Sequence, residues 1–585
     1  MRTCPLLNGR RQPWSQSGLI MENLQHNRLF PEKGPERLRD TILAILLAIS
    51  GSLFITNQEI FQSDVLYISA VVQDLYNGIS ILGWSFTPAP YFFPDISLYA
   101  ILYSFLSHTL ALRVYGIIQA SLAVFLLLRL FSPPGKRYGI FRILFSLQFL
   151  AFVYFQDFYA FLYLPGMHCA AFIASLTLFH RIRHEELLPW KGIYITLLSL
   201  VILSDRLMLV QSIVPTLISL VYAKRLRKKN PDYARRVPGS RLNYWIKVTV
   251  GALALGVVLN FLASVILSTG KVASISVLNS ALAMARDLRD GFGVPRLFYA
   301  QCLAVLVFSI FLLHRVLLAT ETEIRRADQP SLIFYGRISS SNLLLFIWLP
   351  PLAAILSGAY IDAYSVRYFA GSFIVSTAGM LSILCSLRNR PTAHLSRFTG
   401  PLAMAFRRSG AIVLSAALLL LIARDRFASS SSVLAEIPKD NWAEYYPDFV
   451  RCLDTLSGPV TVMADYWHAK PIYLFSKNNI LTYHADYVTG KPSRVISNRN
   501  WYEGTWPPDA VYMKNLAPEV IRKSLGEPMK IMECEISIVS EVSEIGRTRK
   551  MSEAMDSNDS QNGSDASSND GVREKLAPVW IYSGK

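Results

Sequence analysis

Apolar runs recur from Thr41 to Arg424, near 41–57, 96–131, 141–159, 165–180, 192–206, 209–223, 245–267, 296–318, 341–360, 368–388 and 409–424. Each approaches or exceeds the roughly 20 residues that a helix needs to cross hydrocarbon. Inside a bilayer every backbone N–H and C=O must find a partner within the protein, so a chain with this many runs is restricted to a bundle of helices. Composition agrees: 52% of the residues are hydrophobic and 17% are charged, below the quarter or so usual in soluble domains. The expected fold is an all-α polytopic membrane bundle over 41–424, with a segment at 1–40 before it and a smaller extramembrane unit at 425–585.

The run at 96–131 decides the sidedness of the rest. It reads as one long kinked helix or as two short ones broken near Arg113. A single crossing there leaves Lys136, Arg137 and Arg142, then Arg181 and Arg183, the Lys224 cluster, Arg325 and Arg326, and Arg388, Arg390, Arg407 and Arg408 on the N-terminal side. Basic loops belong in the cytoplasm. Eleven crossings with a cytoplasmic N-terminus are therefore expected, and a re-entrant or surface helix within 96–131 preserves the same sidedness. The first run follows Arg28, Lys33, Arg37 and Arg39 and reads as a retained anchor.

The net charge of +17 raises the question of nucleic acid. The basic residues sit mainly in short loops between apolar runs, where they orient helices. The densest group, "KRLRKKNPDYARR" from Lys224 to Arg236, fits a cytoplasmic loop on anionic headgroups. No nucleic-acid partner is expected. The six cysteines show no CxxC spacing, which argues against a zinc ribbon or an iron–sulfur centre.

Outside the membrane this topology leaves 58–95, 160–166, a tight turn at Ser204–Arg206, 268–295, 361–367 and everything after Arg424. In 58–95, "SDVLYISAVVQDLYNG" spaces Val65, Ile68, Val72 and Leu75 as on one face of a helix, so a short helix along the membrane surface is expected, with Asp74 toward solvent. Beyond it, Trp84, Phe86, Tyr91, Phe92 and Phe93 read as an aromatic belt at headgroup depth. Pro88 and Pro90 stiffen a lip, and Pro94 suits the first turn of the next helix. After Arg424 the sequence alternates β-rich and helical runs, "PVTVMAD", "IYLFS", "ILTYHAD", "DAVYM" and "IMECEISIVS", as a small α/β domain would. The polar stretch at 541–575 reads as a disordered insertion before the strand-like "PVWIYS".

No Walker loop, dinucleotide fingerprint, HExxH or nucleophile elbow is present. Function must come from polar groups at one rim: Glu59, Asp64, Asp74, Asp95, His168, Asp205, Arg206, Lys271, Arg286, Arg289, Asp362 and Arg367. Carboxylates in one outer loop with basic residues in others can activate a hydroxyl and hold a phosphate. Asp205 and Arg206 stand in "LVILSDRLMLVQ", an apolar setting where charge is expensive. An internal ion pair is the competing explanation for those two.

The anchor, the long outer loop with an acid soon after the first crossing, the surface helix and the Pro/aromatic lip together resemble the GT-C class of integral membrane glycosyltransferases. The likeness covers the architecture of about 36–424, and its motifs are loose. "SDVLYISA" makes Asp64 the nearest match to the catalytic carboxylate of that loop, although Val65 stands where a second acid is usual and no DxD occurs. "VRYF" resembles the Arg-Tyr of a late helix, which assigns Arg367 and Tyr368 to lipid phosphate. The resemblance implies transfer of a hexosyl or pentosyl group, with inversion, from a polyprenyl-phosphate sugar to a glycan, lipid or protein acceptor at the outer face of a bacterial-type inner membrane, the C-terminal domain being periplasmic.

In that reading Asp64 is the base, and Asp95 is a second catalytic or metal-binding acid. A Mg2+ or Mn2+ ion between the two is compatible with hard oxygen ligands and is not required by the spacing. Both acids could equally be helix N-terminal residues favoured by the dipole. Arg367 and Tyr368, with Arg206, Asp205 and His168, form the expected lipid-donor side; His168 alone could be a packed histidine. Tyr466, Trp467 and Trp501 are candidate acceptor-stacking aromatics, with core packing as their alternative. Cys452 and Cys534, both outside, are a candidate disulfide. The competing functions are a non-catalytic transporter or flippase for a lipid-linked or anionic substrate, and an envelope assembly protein. Transporters place charge near the midplane on paired broken helices, whereas these charges gather at one rim.

Overall fold

The computed structural model describes residues 34–387 apart from 56, 133–136, 185–186, 188–189, 230–238, 270–274, 292–294, 319–329 and 362. It then describes 445–455, 461–464, 466–478, 480–484, 496–498, 510–513, 529–530 and 536–538. In chain order the helices are α1 (Gly34–Ser52), α2 (Ser63–Tyr76), α3 (Ser97–Tyr103), α4 (His108–Phe131), α5 (Arg137–Phe155), α6 (Cys169–Arg183), α7 (Lys191–Ser204) and α8 (Val214–Lys229). They continue with α9 (Gly239–Ile266), α10 (Val277–Asp290), α11 (Pro295–Leu318), α12 (Pro330–Leu356), α13 (Ala370–Leu387), α14 (Asp448–Leu453) and α15 (Tyr466–Phe475).

The protein is mostly helical, as the apolar runs require. Among the described residues, five helices are long and apolar enough to cross a membrane: His108–Phe131, Tyr138–Phe155, Gly239–Ile266, Pro295–Leu317 and Gly336–Leu356. Phe92–Tyr103, Lys191–Ser204 and Ala370–Cys385 are apolar but shorter. The expected run at 409–424 lies outside the described residues. Phe261 on α9 and Leu303 on α11 are more than half exposed, as side chains facing lipid would be.

The 96–131 question has a structural answer. The chain breaks at Ser104–Ser107, ahead of Arg113, and Ser107 caps α4 by accepting from the Leu110 N–H. α3 has seven residues, about 10 Å at 1.5 Å per residue, and cannot cross; α4 has 24, about 36 Å, and can. Arg113 is buried within α4 and donates to the Asn57 side chain. One long helix preceded by a short one is thus what the run contains.

α1 packs on α4 and α5, α4 on α6, α7 along α9, and α11 against α12 and α13. Two short strands, β1 (Ser85–Phe86) and β2 (Ser268–Thr269), pair in parallel and tie the loop at 58–95 to the end of α9. Later residues form a five-stranded sheet of β3 (Thr461–Ala464), β4 (Leu481–His484), β5 (Ala510–Met513), β6 (Met529–Lys530) and β7 (Ile536–Ile538). Its order is β4-β3-β5-β7-β6; β3 runs parallel to both neighbours, and β7 is antiparallel to β5 and β6. α15 connects β3 to β4 as the crossover that parallel strands need, and it lies directly on α2.

Candidate functional site

α2 positions the site because it is covered on both sides. Val65, Ile68 and Val72 are fully buried, and so is Asp74 on what the periodicity reads as the polar face. The expected surface helix is therefore an interior helix, with α15 lying where solvent was expected. Leu75, read as part of the apolar face, is exposed instead. Asp74 accepts hydrogen bonds from Trp84 Nε1 at 2.9 Å, Asn498 Nδ2 at 2.8 Å and the Tyr473 hydroxyl at 2.5 Å. It is a structural junction between the outer loop and the later chain.

The aromatic belt is likewise corrected for three of its five members, Phe92 and Phe93 being only partly buried. Trp84, Phe86 and Tyr91 are buried, with Trp84 and Phe86 packed on Tyr67. The proline lip is tied inward: the Tyr67 hydroxyl donates to the Pro90 carbonyl, and the N–H groups of Tyr91 and Phe93 donate to Ser204 at the end of α7. Pro94 lies inside a wide turn at Phe92–Ile96 that precedes α3.

At the start of α2, Asp64 remains partly open. Its Oδ2 lies 3.4 Å from Arg367 Nη1, each side chain being 29% exposed, although 303 residues separate them in sequence. Its Oδ1 accepts from the Tyr466 hydroxyl, while Ser63 Oγ donates to the Tyr466 carbonyl. Burial works against the Arg367 charge, but Asp64, Tyr368 and Tyr91 more than offset it and hold the guanidinium above its ordinary pKa. Arg367 Nε is buried and has no acceptor among the described residues. A donor of this kind, next to an exposed carboxylate, is what an incoming anion can satisfy.

Lys470, one turn further along α15, is buried with its Nζ 3.7 Å from the centre of the Tyr466 ring. Burial pushes its pKa down to about 7, with the Asp64 charge pulling the other way. The "YWHAK" stretch displays this lysine, yet nothing local says that it turns inward.

Behind Arg367 lies a second polar group. His168 Nδ1 is 2.9 Å from Asp205 Oδ2, and both residues are buried. The Leu207 N–H holds the other Asp205 oxygen. The Tyr91 hydroxyl sits 3.4 Å from His168 Nε2. The Tyr368 ring neighbours both Arg367 and His168, 5.6 Å from the guanidinium and 5.2 Å from the imidazole. Asp95 Oδ1 accepts from the Tyr115 hydroxyl and from the Gly166 N–H, while Oδ2 is buried without a partner among the described residues. Gly166 has φ +72° and its Cα faces Ile68 and Tyr91, so a side chain there would be strained and crowded.

Asp64, Tyr466, Arg367 and Tyr368 thus form one connected set, reached from His168, Asp205 and Tyr91 through the Tyr368 ring. Arg206 does not join it: α7 ends at Ser204, the chain turns, and Arg206 points outward to Asn260. Trp467 lies on the rim beside Tyr466, edge to face. Trp501, Asp362, Lys271 and Cys534, and the side chain of Cys452, lie outside what is described, so the disulfide and part of the acceptor set have no structural counterpart here. Among the described residues no group of three His, Cys, Asp or Glu converges as a metal cage would, and Asp95 is turned to Tyr115 and Gly166 rather than to Asp64.

An apolar groove of about 260 Å³ lies beside Asp95, lined by Phe93, Pro94, Leu98, Tyr115, Leu198 and Val201 among others. Tyr115 joins it to the polar group, since its hydroxyl is the one held by Asp95. Comparison with known proteins adds no identity: no family model, curated protein or solved structure matches the chain.

Proposed function

We propose that the chain is a membrane glycosyltransferase that moves a sugar from a polyprenyl-phosphate donor to an acceptor hydroxyl. The observation that carries this reading is the meeting of Asp64 and Arg367 at 3.4 Å in a partly open site. A carboxylate able to take a proton and a guanidinium able to receive phosphate are the two charges such a transfer needs. The apolar groove beside Asp95 suits the first isoprene units of the donor.

In this account the acceptor oxygen attacks the anomeric carbon from the side of Asp64, which takes the hydroxyl proton. The sugar enters between Asp64 and Arg367, whose contact opens to admit it, and the configuration inverts because the phosphate departs from the face opposite the acceptor. Arg367 offsets the charge on the departing phosphate, its Nε, which has no acceptor among the described residues, supplying the hydrogen bond, and Tyr368 packs beside it. Tyr466 holds Asp64 until the acceptor arrives. Trp467 offers a ring on which a sugar can stack. If Mg2+ or Mn2+ takes part, Asp64 is the described acid open enough to reach it, and no step here depends on it. The wider frame of this proposal is eleven crossings in a bacterial-type inner membrane, a cytoplasmic N-terminus, and a periplasmic α/β unit built on the five-stranded sheet.

The test is transfer by the full chain in nanodiscs from a panel of polyprenyl-phosphate sugars, comparing wild type with Asp64→Asn. Loss of a positioned base lowers turnover by roughly 10²–10⁴-fold. Equal turnover in a folded variant removes Asp64 from the mechanism, and no transfer from any donor by wild type favours a flippase or assembly protein.

A further inference from the structure

Two described residues other than glycine with left-handed backbone touch each other at this site: Tyr91 at φ +55° and His168 at φ +65°. Such conformations are costly and persist where the surroundings over-determine them. Here the surroundings aim an imidazole. Asp205 takes Nδ1 at 2.9 Å, which fixes the orientation of the ring, and the only described partner of Nε2 is the long contact from Tyr91 at 3.4 Å. The groups facing the ring are Asp205 from the end of α7, Tyr91 from the lip, and Tyr368 from the turn at Ala363–Tyr368, with Arg367 beyond it. Asp95 is near enough to feel the charge of Asp205.

We propose that the Asp205–His168 pair is a second, proton-carrying contact to the donor phosphate, a role that rests on the transferase reading. The donor enters as a phosphodiester with one negative charge. As the sugar–oxygen bond to phosphate breaks, its electron pair stays on the phosphate oxygen, the acceptor oxygen bonds to the sugar, and the acceptor proton goes to Asp64. The departing monoester would now carry a second charge. Arg367 supplies a fixed cation, whereas the His168 imidazolium can donate to the new oxyanion and hand over its proton, so the lipid phosphate leaves singly charged. Asp64 then releases its proton to water and His168 takes one up, which closes the balance. A contact that strengthens only as the second charge develops acts on the transition state rather than on ground-state binding.

The experiment is calorimetric binding to the full chain in nanodiscs, at pH 7.5 in two buffers of different ionisation enthalpy. The probes are farnesyl phosphate, its methyl diester and inorganic phosphate. Wild type should bind farnesyl phosphate with proton uptake beyond that of the probe itself. His168→Gln and Asp205→Asn should abolish that excess, weakening the monoester about tenfold, as loss of a charge-assisted hydrogen bond does, and the diester under threefold. Arg367→Gln should weaken both lipid probes alike. If the two variants keep wild-type affinity and proton count while Arg367→Gln does not, the role of His168 is refuted and the phosphate site survives. Absence of prenyl-probe binding in wild type refutes the transferase reading first. Inorganic phosphate binding as tightly as farnesyl phosphate refutes a lipid headgroup as the ligand. Should both variants fail to fold, wild type alone decides: proton uptake no greater than the free probe's ionisation accounts for overturns the proposal.

Discussion

α2 carries two carboxylates at its ends, and they have opposite fates. Asp74 is wholly buried and saturated by three donors: an indole, an amide and a phenol. Asp64 keeps 29% of its side chain exposed and faces a cation. α15 runs along both, with Tyr473 on Asp74 and Tyr466 on Asp64. The difference teaches that the same acid on the same helix is a fastener where its lone pairs are used up and a reagent where one side is left open. It also places the later chain in both roles, since Tyr466, Tyr473 and Asn498 reach α2 from some 400 residues away.

The comparison breaks most visibly if both acids behave alike. Asp64→Asn should leave the fold intact and cost roughly 10²–10⁴-fold in transfer, measured per folded molecule. Asp74→Ala should do the reverse: three buried donors lose their acceptor, and stability falls by about 2–5 kcal/mol, read as a lower melting temperature, with turnover per folded molecule largely kept. If Asp74→Ala were neutral in stability, its role as a junction would be wrong.

Lys470, between the two tyrosines on α15, sharpens the contrast through pH. Its native pKa, lowered to about 7 by burial, lies below the unfolded value near 10.4. Between those values the unfolded chain binds a proton that the folded chain does not, so this group makes stability rise with pH above 7, by up to about 1.4 kcal/mol per unit. Below pH 7 both states hold the proton and the contribution is flat. Lys470→Met should remove the rise, which melting curves from pH 6 to 9 would reveal. The smallest effect is a matched pair: Tyr473→Phe should lose about 1.5–3 kcal/mol by removing a bond to a buried charged group, whereas Tyr466→Phe, at a partly open acid, should lose less than half as much.

Much of the bundle was legible because apolar runs long enough to cross hydrocarbon have few alternatives to helix. α9 and α11 fall where 245–267 and 296–318 put them, within two turns at their ends, while α12 starts about three turns before 341 and ends about one turn before 360. The candidate site was partly legible for the same reason: Asp64, His168, Asp205 and Arg367 are polar groups at the ends of apolar runs, and such ends are where a bundle gathers charge. What failed were the judgements of burial that depended on later chain packing over the loop at 58–95. Asp74 falls on the polar face by periodicity, and only the arrival of Tyr473 and Asn498 turns that face inward. Trp84 and Phe86 look like headgroup anchors until the residue pair Ser497 and Asn498 docks beside Trp84 and Ser85. Arg206 adjoins Asp205 in sequence, yet the end of α7 sends one inward and the other to Asn260.

The central claim is that Asp64 and Arg367 share one exoplasmic rim, and membrane-impermeant maleimide labelling of Asp64→Cys and Arg367→Cys in sealed, right-side-out vesicles tests it most directly. The account predicts modification of both from outside and of neither from the cytoplasmic side alone. Labelling of the two positions from opposite sides, or of both only after the cytoplasmic face is opened, would contradict it.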